Sequence, residues 1–267
     1  MKKYSTAVLL SIVMIMCFIF TICVDEKNMV MMVGGTIIAI WVYIGLHKHI
    51  DKMFSNGKKP KSYHLFPRMK KRVVLYLVGL SYWIDQFFTY IYTSNFKISH
   101  NQERANETRA SQTFLENVIS HDIKTPIVEE IIFRGLLFLL IITVFNLIKR
   151  NTKKATINII FVFTSGVVFG LFHCVSWNEL FTSMTITTEF ERAILYIVPG
   201  LVYSVLYIFT QRLYAPILAH MLNNTMGLKP FGEQQLENLI VWFVILLIVG
   251  VIYIKLNKAT IKGKRRR

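Results

Sequence analysis

Residues 124–135, Lys124-Thr125-Pro126-Ile127-Val128-Glu129-Glu130-Ile131-Ile132-Phe133-Arg134-Gly135, run straight into the apolar stretch LLFLLIITVFNLI at 136–148. From Pro126 to Ile148 the chain is long enough, as a helix, to cross a hydrocarbon core of about 30 Å. A soluble helix of this length would keep a polar stripe along one face. Here the far half is apolar all round, while two adjacent carboxylates and a guanidinium sit in the near half. The pattern reads as a membrane span that carries charge on purpose.

Working outward, similar apolar stretches recur at about 5–24, 30–47, 73–93, 155–175, 192–210, 213–228 and 239–254, making eight with 126–148. The composition agrees, at 54% hydrophobic and 17% charged residues. In lipid every backbone polar group must be satisfied within its own segment, so such stretches must be helices. The expected fold is an all-α, polytopic membrane bundle of about eight transmembrane helices, one membrane domain over residues 1–267 without internal repeats.

The net charge of +16 invites a nucleic-acid reading, but its distribution argues against one. Lys2, Lys3, the run from Lys48 to Arg72, Lys149, Arg150, Lys153, Lys154, Arg212 and the tail from Lys255 to Arg267 all fall on one side of the eight-span map. The other side holds only scattered cations such as Lys27, Lys97, Arg104, Arg109, Lys124, Arg192 and Lys229. Lys/Arg bias in short loops marks the cytoplasmic face, so both termini are expected inside, with the basic loops against anionic lipid. No aromatic-interleaved basic fold accompanies the charge, and no nucleic-acid partner is expected. The first span lacks a small-x-small cleavage site and reads as a retained anchor. Cys17, Cys23 and Cys174 all fall within spans, an odd number without framework spacing, so no disulfide is inferred.

Two longer loops interrupt the spans. Residues 48–72 read as a basic cytoplasmic loop turning at Asn56-Gly57. In 94–125, Phe114, Leu115, Val118 and Ile119 fall at helical spacing, which predicts a short amphipathic helix in the outer interface ahead of span four. Thr125 would then cap span four, with Pro126 in its first turn. Asp85, inside span three, needs a partner at that depth, and a hydrogen bond to a neighbouring helix is the expectation. Trp41, Trp83, Trp177 and Trp242 read as interfacial anchors.

Chemistry collects on three spans. Glu130 and Arg134 are four residues apart on span four, share a face and can pair. Glu129, turned about 100° from Glu130, points elsewhere. Span five ends with Phe169 and His173, and span seven carries His220 and Asn224, each pair again four apart. Singly, each polar residue has a bland reading as interhelical hydrogen-bonding glue. Together they bring a carboxylate base, two imidazoles and an amide into one apolar region, which is a functional site by default.

These three patterns, EExxxR at Glu129, Glu130 and Arg134, FxxxH at Phe169 and His173, and HxxxN at His220 and Asn224, resemble the CPBP intramembrane proteases. That family contains the CAAX prenyl endopeptidases and bacterial relatives tied to bacteriocin self-immunity and peptide processing. The motifs stand in the family's order over a core of roughly residues 120–230. The resemblance implies a membrane-embedded endopeptidase acting on a peptide or membrane-protein substrate. Glu129 would activate a water shared with His173, and His220 and Asn224 would hold the oxyanion. Glu130, Arg134 and Phe169 would support the site. Zn²⁺ held by His173, His220 and Glu129 is the alternative to a glutamate-centred mechanism, since two imidazoles and a carboxylate suit it. No HExxH is present, and the glutamate-centred version is preferred.

Two other functions compete. One is a membrane immunity or regulatory protein that acts by binding a partner with its motifs intact. The other is a transporter, which would call for internally related, interrupted helices that the sequence does not display. The Lys-, Ile-, Asn- and Phe-rich usage suggests a bacterial plasma membrane, where a small peptide or leader is the more natural substrate.

Overall fold

The computed structural model describes residues 2–23, 29–55, 69–93, 107, 110–148, 153–174, 186–226 and 244. Its elements are all helical: α1 (Lys2–Cys23), α2 (Met29–Ser55), α3 (Lys71–Thr93), α4 (Phe114–Ile148), α5 (Lys154–Cys174), α6 (Ile186–Thr210) and α7 (Tyr214–Met226). Four stretches, Met31–Ile50, Phe114–Ile148, Lys154–His173 and Ala193–Thr210, are long and apolar enough to cross a membrane. Large apolar side chains such as Ile38, Trp41, Ile159 and Phe163 face outward from them, as a lipid solvent demands. The stretches expected as spans at 5–24, 73–93 and 213–228 are helical, as α1, α3 and α7, but are not among the four that are long and apolar enough to cross. The one expected at 239–254 lies outside the described residues except for Val244. Trp177, Trp242 and the turn at Asn56-Gly57 also lie outside them.

Two boundaries differ from the sequence expectation. α2 does not end at residue 47 but continues to Ser55. No Gly or Pro interrupts 46–55, and Leu46 and Ile50 are buried against the core, so tertiary packing extends the helix into the basic segment. The second difference is larger. Phe114, Leu115, Val118 and Ile119 are not on a helix separate from span four: residues 114–148 form one helix, and Thr125 is not its cap. The cap is Thr113, whose Oγ1 accepts from the Glu116 N–H while Glu116 Oε2 accepts from the Thr113 N–H at 2.8 Å. Phe114 and Leu115 remain exposed, so the apolar face expected there belongs to the first turn of α4.

α4 passes Pro126 because it widens into π-helix over Val118–Lys124. There the Thr125 N–H bonds the Ser120 carbonyl five residues back. In that register the missing Pro126 N–H would address the His121 carbonyl. A second π stretch, Ile131–Leu136, follows Glu130. Wide turns of this kind are rare, and they concentrate at functional sites.

α4 lies at the centre, packing on α1 and α2 through Phe133, Leu136 and Leu139, and on α5 and α6 through Phe138, Ile142, Phe161 and Tyr207. α3 joins α6 and α7 through Val74, Val78, Tyr203, Leu206 and Ala215. α5 and α6 pack most extensively among the described helices. Gly166 and Gly170, four apart, let the two backbones touch. A Cβ on Gly170 would lie 2.2 Å from Ile197 Cγ1 and 2.8 Å from the Ile197 nitrogen. One on Gly200 would come within 3.0 Å of Gly166 Cα.

Candidate active site

α4 presents Glu129, Glu130 and Arg134 on its buried side, and all three are almost wholly withdrawn from the surface. Arg134 is anchored from three directions. Its Nη1–H donates to Glu130 Oε1 at 2.9 Å, and its Nη2–H donates to the Gly200 carbonyl at 3.0 Å. The guanidinium also lies over Phe169 at 4.5 Å and Tyr203 at 5.5 Å. Phe169, between Gly166 and Gly170, is therefore placed by the close α5–α6 crossing. Ser204 Oγ donates to Ser165 Oγ at 2.9 Å, and Ser165 Oγ donates to the Phe133 carbonyl at 2.9 Å. Those bonds tie α6, α5 and α4 together just beneath the charges.

The two glutamates have different surroundings, as their angular offset predicts. Glu130 Oε1 accepts from Arg134 and from the Nδ1–H of His220 at 3.0 Å. Glu129 instead faces two imidazoles, with His173 Nε2 at 3.7 Å from Oε1 and His220 Nε2 at 3.8 Å from Oε2. These separations are too long for direct hydrogen bonds and of the size that a bridging molecule spans.

The acceptors around each imidazole define its tautomer. His173 Nδ1 lies 2.9 Å from the Phe169 carbonyl, which can only accept, so Nδ1 carries the proton. By the same reasoning His220 Nδ1–H belongs to the Glu130 carboxylate. Both Nε2 atoms then turn toward Glu129. His173 stacks on Tyr196 at 4.7 Å, and His220 is held between the Tyr203 face at 5.2 Å and the Phe169 edge at 5.8 Å.

Asn224 sits one turn beyond His220, and its Nδ2–H donates to the His121 carbonyl at 2.8 Å. That carbonyl is the one Pro126 leaves without an N–H in the π register. The amide thus completes the backbone of α4 five residues before Pro126 and binds α7 to it. Among the residues expected at the site, Glu129, Glu130, Arg134, Phe169, His173 and His220 converge directly. Asn224 joins through the turn that leads into them.

Several participants have no counterpart in the sequence motifs. Tyr203 donates its hydroxyl to Asp85 Oδ2 at 2.8 Å, giving Asp85 the neighbouring-helix partner it was expected to need. Gln86 Nε2–H donates to Asn223 Oδ1. Tyr196, Gly200, Ser165 and Ser204 also act here; the four-residue spacing of Gly166 and Gly170 is the sequence signal that could have pointed to their region. Among the described residues, no group of three or more His, Cys, Asp or Glu side chains is arranged to hold a metal ion.

Residues 113–226 match the family model of the Rce1-like type II CAAX prenyl endopeptidases. The match supports the CPBP intramembrane protease family that the motifs resemble. No curated protein and no solved structure matches the chain. The matched segment opens at Thr113, the cap of α4, and closes at Met226, the last residue of α7. It therefore contains every motif residue and supports an intramembrane endopeptidase of the CAAX type. Asp85 and Gln86 reach this segment from α3, which lies outside it.

Proposed function

We propose that the chain hydrolyses a peptide bond of a membrane-associated or small peptide substrate, with Glu129 as general base. The observation that carries this reading is the Glu129 carboxylate set between the Nε2 atoms of His173 and His220, at 3.7 and 3.8 Å, on three different helices. Water held between Glu129 and His173 attacks the carbonyl carbon and gives its proton to Glu129. The carbonyl π electrons move to oxygen, and the oxyanion forms near His220. His220, its Nδ1–H held by Glu130, takes a proton from water at Nε2 in this step, donates it in a hydrogen bond to the oxyanion, and releases it with the product. Asn224 is oriented by His121 and offers its amide to the same charge. The C–N bond then breaks, and Glu129 returns the proton to the leaving amine. Preorganised donors of this kind contribute roughly 10²–10³ in rate each.

His173, His220 and Glu129 are the donors that a Zn²⁺ site would have to use, supplying a Lewis acid for the carbonyl, but as placed they do not form a metal-binding group. The glutamate-centred route draws its support from the Glu129 carboxylate standing between the two imidazoles at 3.7 and 3.8 Å. Stoichiometric zinc in purified active protein, lost with activity on chelation and restored with it, would overturn that preference.

The cell membrane of a bacterium is the proposed location, from residue usage and the basic loops. Peptide or leader processing and bacteriocin self-immunity are the settings that fit it. The test is a comparison of membrane proteins and released peptides between cells carrying the wild type and Glu129→Ala. A substrate that persists uncleaved in the variant identifies the reaction. Identical profiles, with both proteins equally abundant, would favour action through partner binding instead.

A further inference from the structure

Glu130 fixes the direction of His220 Nδ1 but not the tilt of the ring. One hydrogen bond at Nδ1 leaves an imidazole free to pivot about that bond, and a pivot would swing Nε2 away from Glu129. The Tyr203 ring lies nearly parallel to His220, at 5.2 Å and 26°, and closes off one direction of that pivot. The Phe169 edge at 5.8 Å closes the other. Phe169 is immobilised by the α5–α6 crossing and by Arg134, 4.5 Å above it. Tyr203 needs a comparable restraint, and its hydroxyl has one: the 2.8 Å bond to Asp85, with both residues buried.

We propose that Asp85, acting through Tyr203, is a positioning residue that holds the His220 imidazole in line with Glu129. This inference rests on the proteolytic reading above. It also places α3, outside the segment matched by the family, in the working structure of the site. The adjacent Gln86 supports the assignment independently. Its bond to Asn223 fixes α7 to α3 two turns or less from His220, so one short stretch of α3 restrains the site through both α6 and α7. Neither Asp85 nor Tyr203 faces Glu129 directly, so neither touches the reacting atoms. They reach the site through the Tyr203 ring, which faces His220 and also lies beside Arg134; Phe at 203 keeps that ring, so the double variant removes only its tether to α3.

The experiment uses full-length protein in liposomes, with the best-cleaved peptide from a fluorogenic library as probe. Histidine is labelled with ¹⁵N, and the His220 resonances are assigned with His220→Gln. Asp85→Asn keeps an oxygen acceptor for the Tyr203 hydroxyl and should stay within about threefold of wild-type kcat. The double variant Asp85→Leu, Tyr203→Phe removes donor and acceptor together, which avoids stranding a buried polar group and preserves folding. It should lose roughly tenfold to a hundredfold in kcat with KM little changed, the scale of a small misplacement of a catalytic group. Its His220 ¹⁵N resonances should shift and broaden, while those of His173 stay in place. Wild-type kcat together with unmoved His220 resonances in the folded double variant would overturn the proposal. So would equal losses in Asp85→Asn and in the double variant. Glu129→Gln, measured alongside, separates the two levels: retained activity there defeats the proteolytic reading, whereas the His220 resonances test the positioning role without turnover.

Discussion

Glu129 and Glu130 are neighbours in sequence and opposites in environment. Glu130 has two cationic-side donors, Arg134 and His220, while Glu129 meets the imidazole Nε2 atoms at longer range. Glu129→Gln keeps shape and volume but removes the base, so turnover should fall by roughly 10²–10⁴ with melting unchanged. Glu130→Gln leaves Arg134 short of its counter-charge in a fully buried setting, where stranding one partner costs about 3–5 kcal/mol. That variant should melt lower and lose activity with its folded fraction. Adding Arg134→Gln should recover part of the stability. Melting and turnover of the three proteins in detergent check this, and a Glu129→Gln protein that melts as low as Glu130→Gln would refute the division. This contrast was readable from the EExxxR spacing, because a four-residue interval puts Glu130 and Arg134 on one face whatever surrounds them. The second partner of Glu130 was not readable. His220 is 90 positions away, and only the packing of α7 on α4 brings it within 3.0 Å.

At the scale of the element, α4 shows why local rules misplaced a boundary. Thr125-Pro126 has the chemistry of a helix start, yet the chain enters it already helical and absorbs the proline in a π turn. The cost of the missing N–H is met by Asn224 on the His121 carbonyl, an interaction no local pattern announces. This permits a separation of roles. Asn224→Ala should lose most turnover, and should also melt somewhat lower because its hydrogen bond to the His121 carbonyl is lost. Pro126→Ala in the same chain restores a backbone N–H to His121 and should recover the melting temperature but not the turnover. Recovery of both would make Asn224 a structural clasp only. The α5–α6 crossing offers a second check. Gly170→Ala would place a Cβ 2.2 Å from Ile197 Cγ1 and 3.0 Å from the Ala193 carbonyl. Overpacking of this sort costs about 1–3 kcal/mol. Because it displaces Phe169 and His173 together, activity should fall further than melting predicts. The same substitution at Gly34 or Gly45, where nothing lies within 4 Å, should be silent in both assays.

For the whole molecule, the open question is which membrane face the site serves, and the charge pattern supplies a definite expectation. Lys149, Arg150 and Lys153 lie between α4 and α5, and Lys154 opens α5, so the positive-inside rule predicts a cytoplasmic connection. The start of α4 is then outside. α4 is 35 residues long, about 50 Å at 1.5 Å per residue, and exceeds a hydrocarbon core of about 30 Å. Glu129 stands fifteen residues from Phe114, roughly 22 Å along the axis, so its distance below the outer surface depends on how much of the first turns projects. Exposed Phe114 and Leu115 favour an interfacial setting for those turns, with Glu129 reached from the outer leaflet. The eight-span arrangement makes this testable at several points at once. Reporter fusions after residues 60, 152 and 262 should read cytoplasmic, and fusions near 105 and 234 external. A membrane-impermeant thiol reagent should label a cysteine introduced at Phe114 from outside in intact cells, and one at Lys153 only after permeabilisation. Reversal at two or more fusion sites, or labelling of Lys153→Cys in intact cells, would turn the bundle over. The catalytic carboxylate would then open to the cytoplasm, and the search for substrates would move from exported peptides to cytoplasmic chains that dock on the membrane.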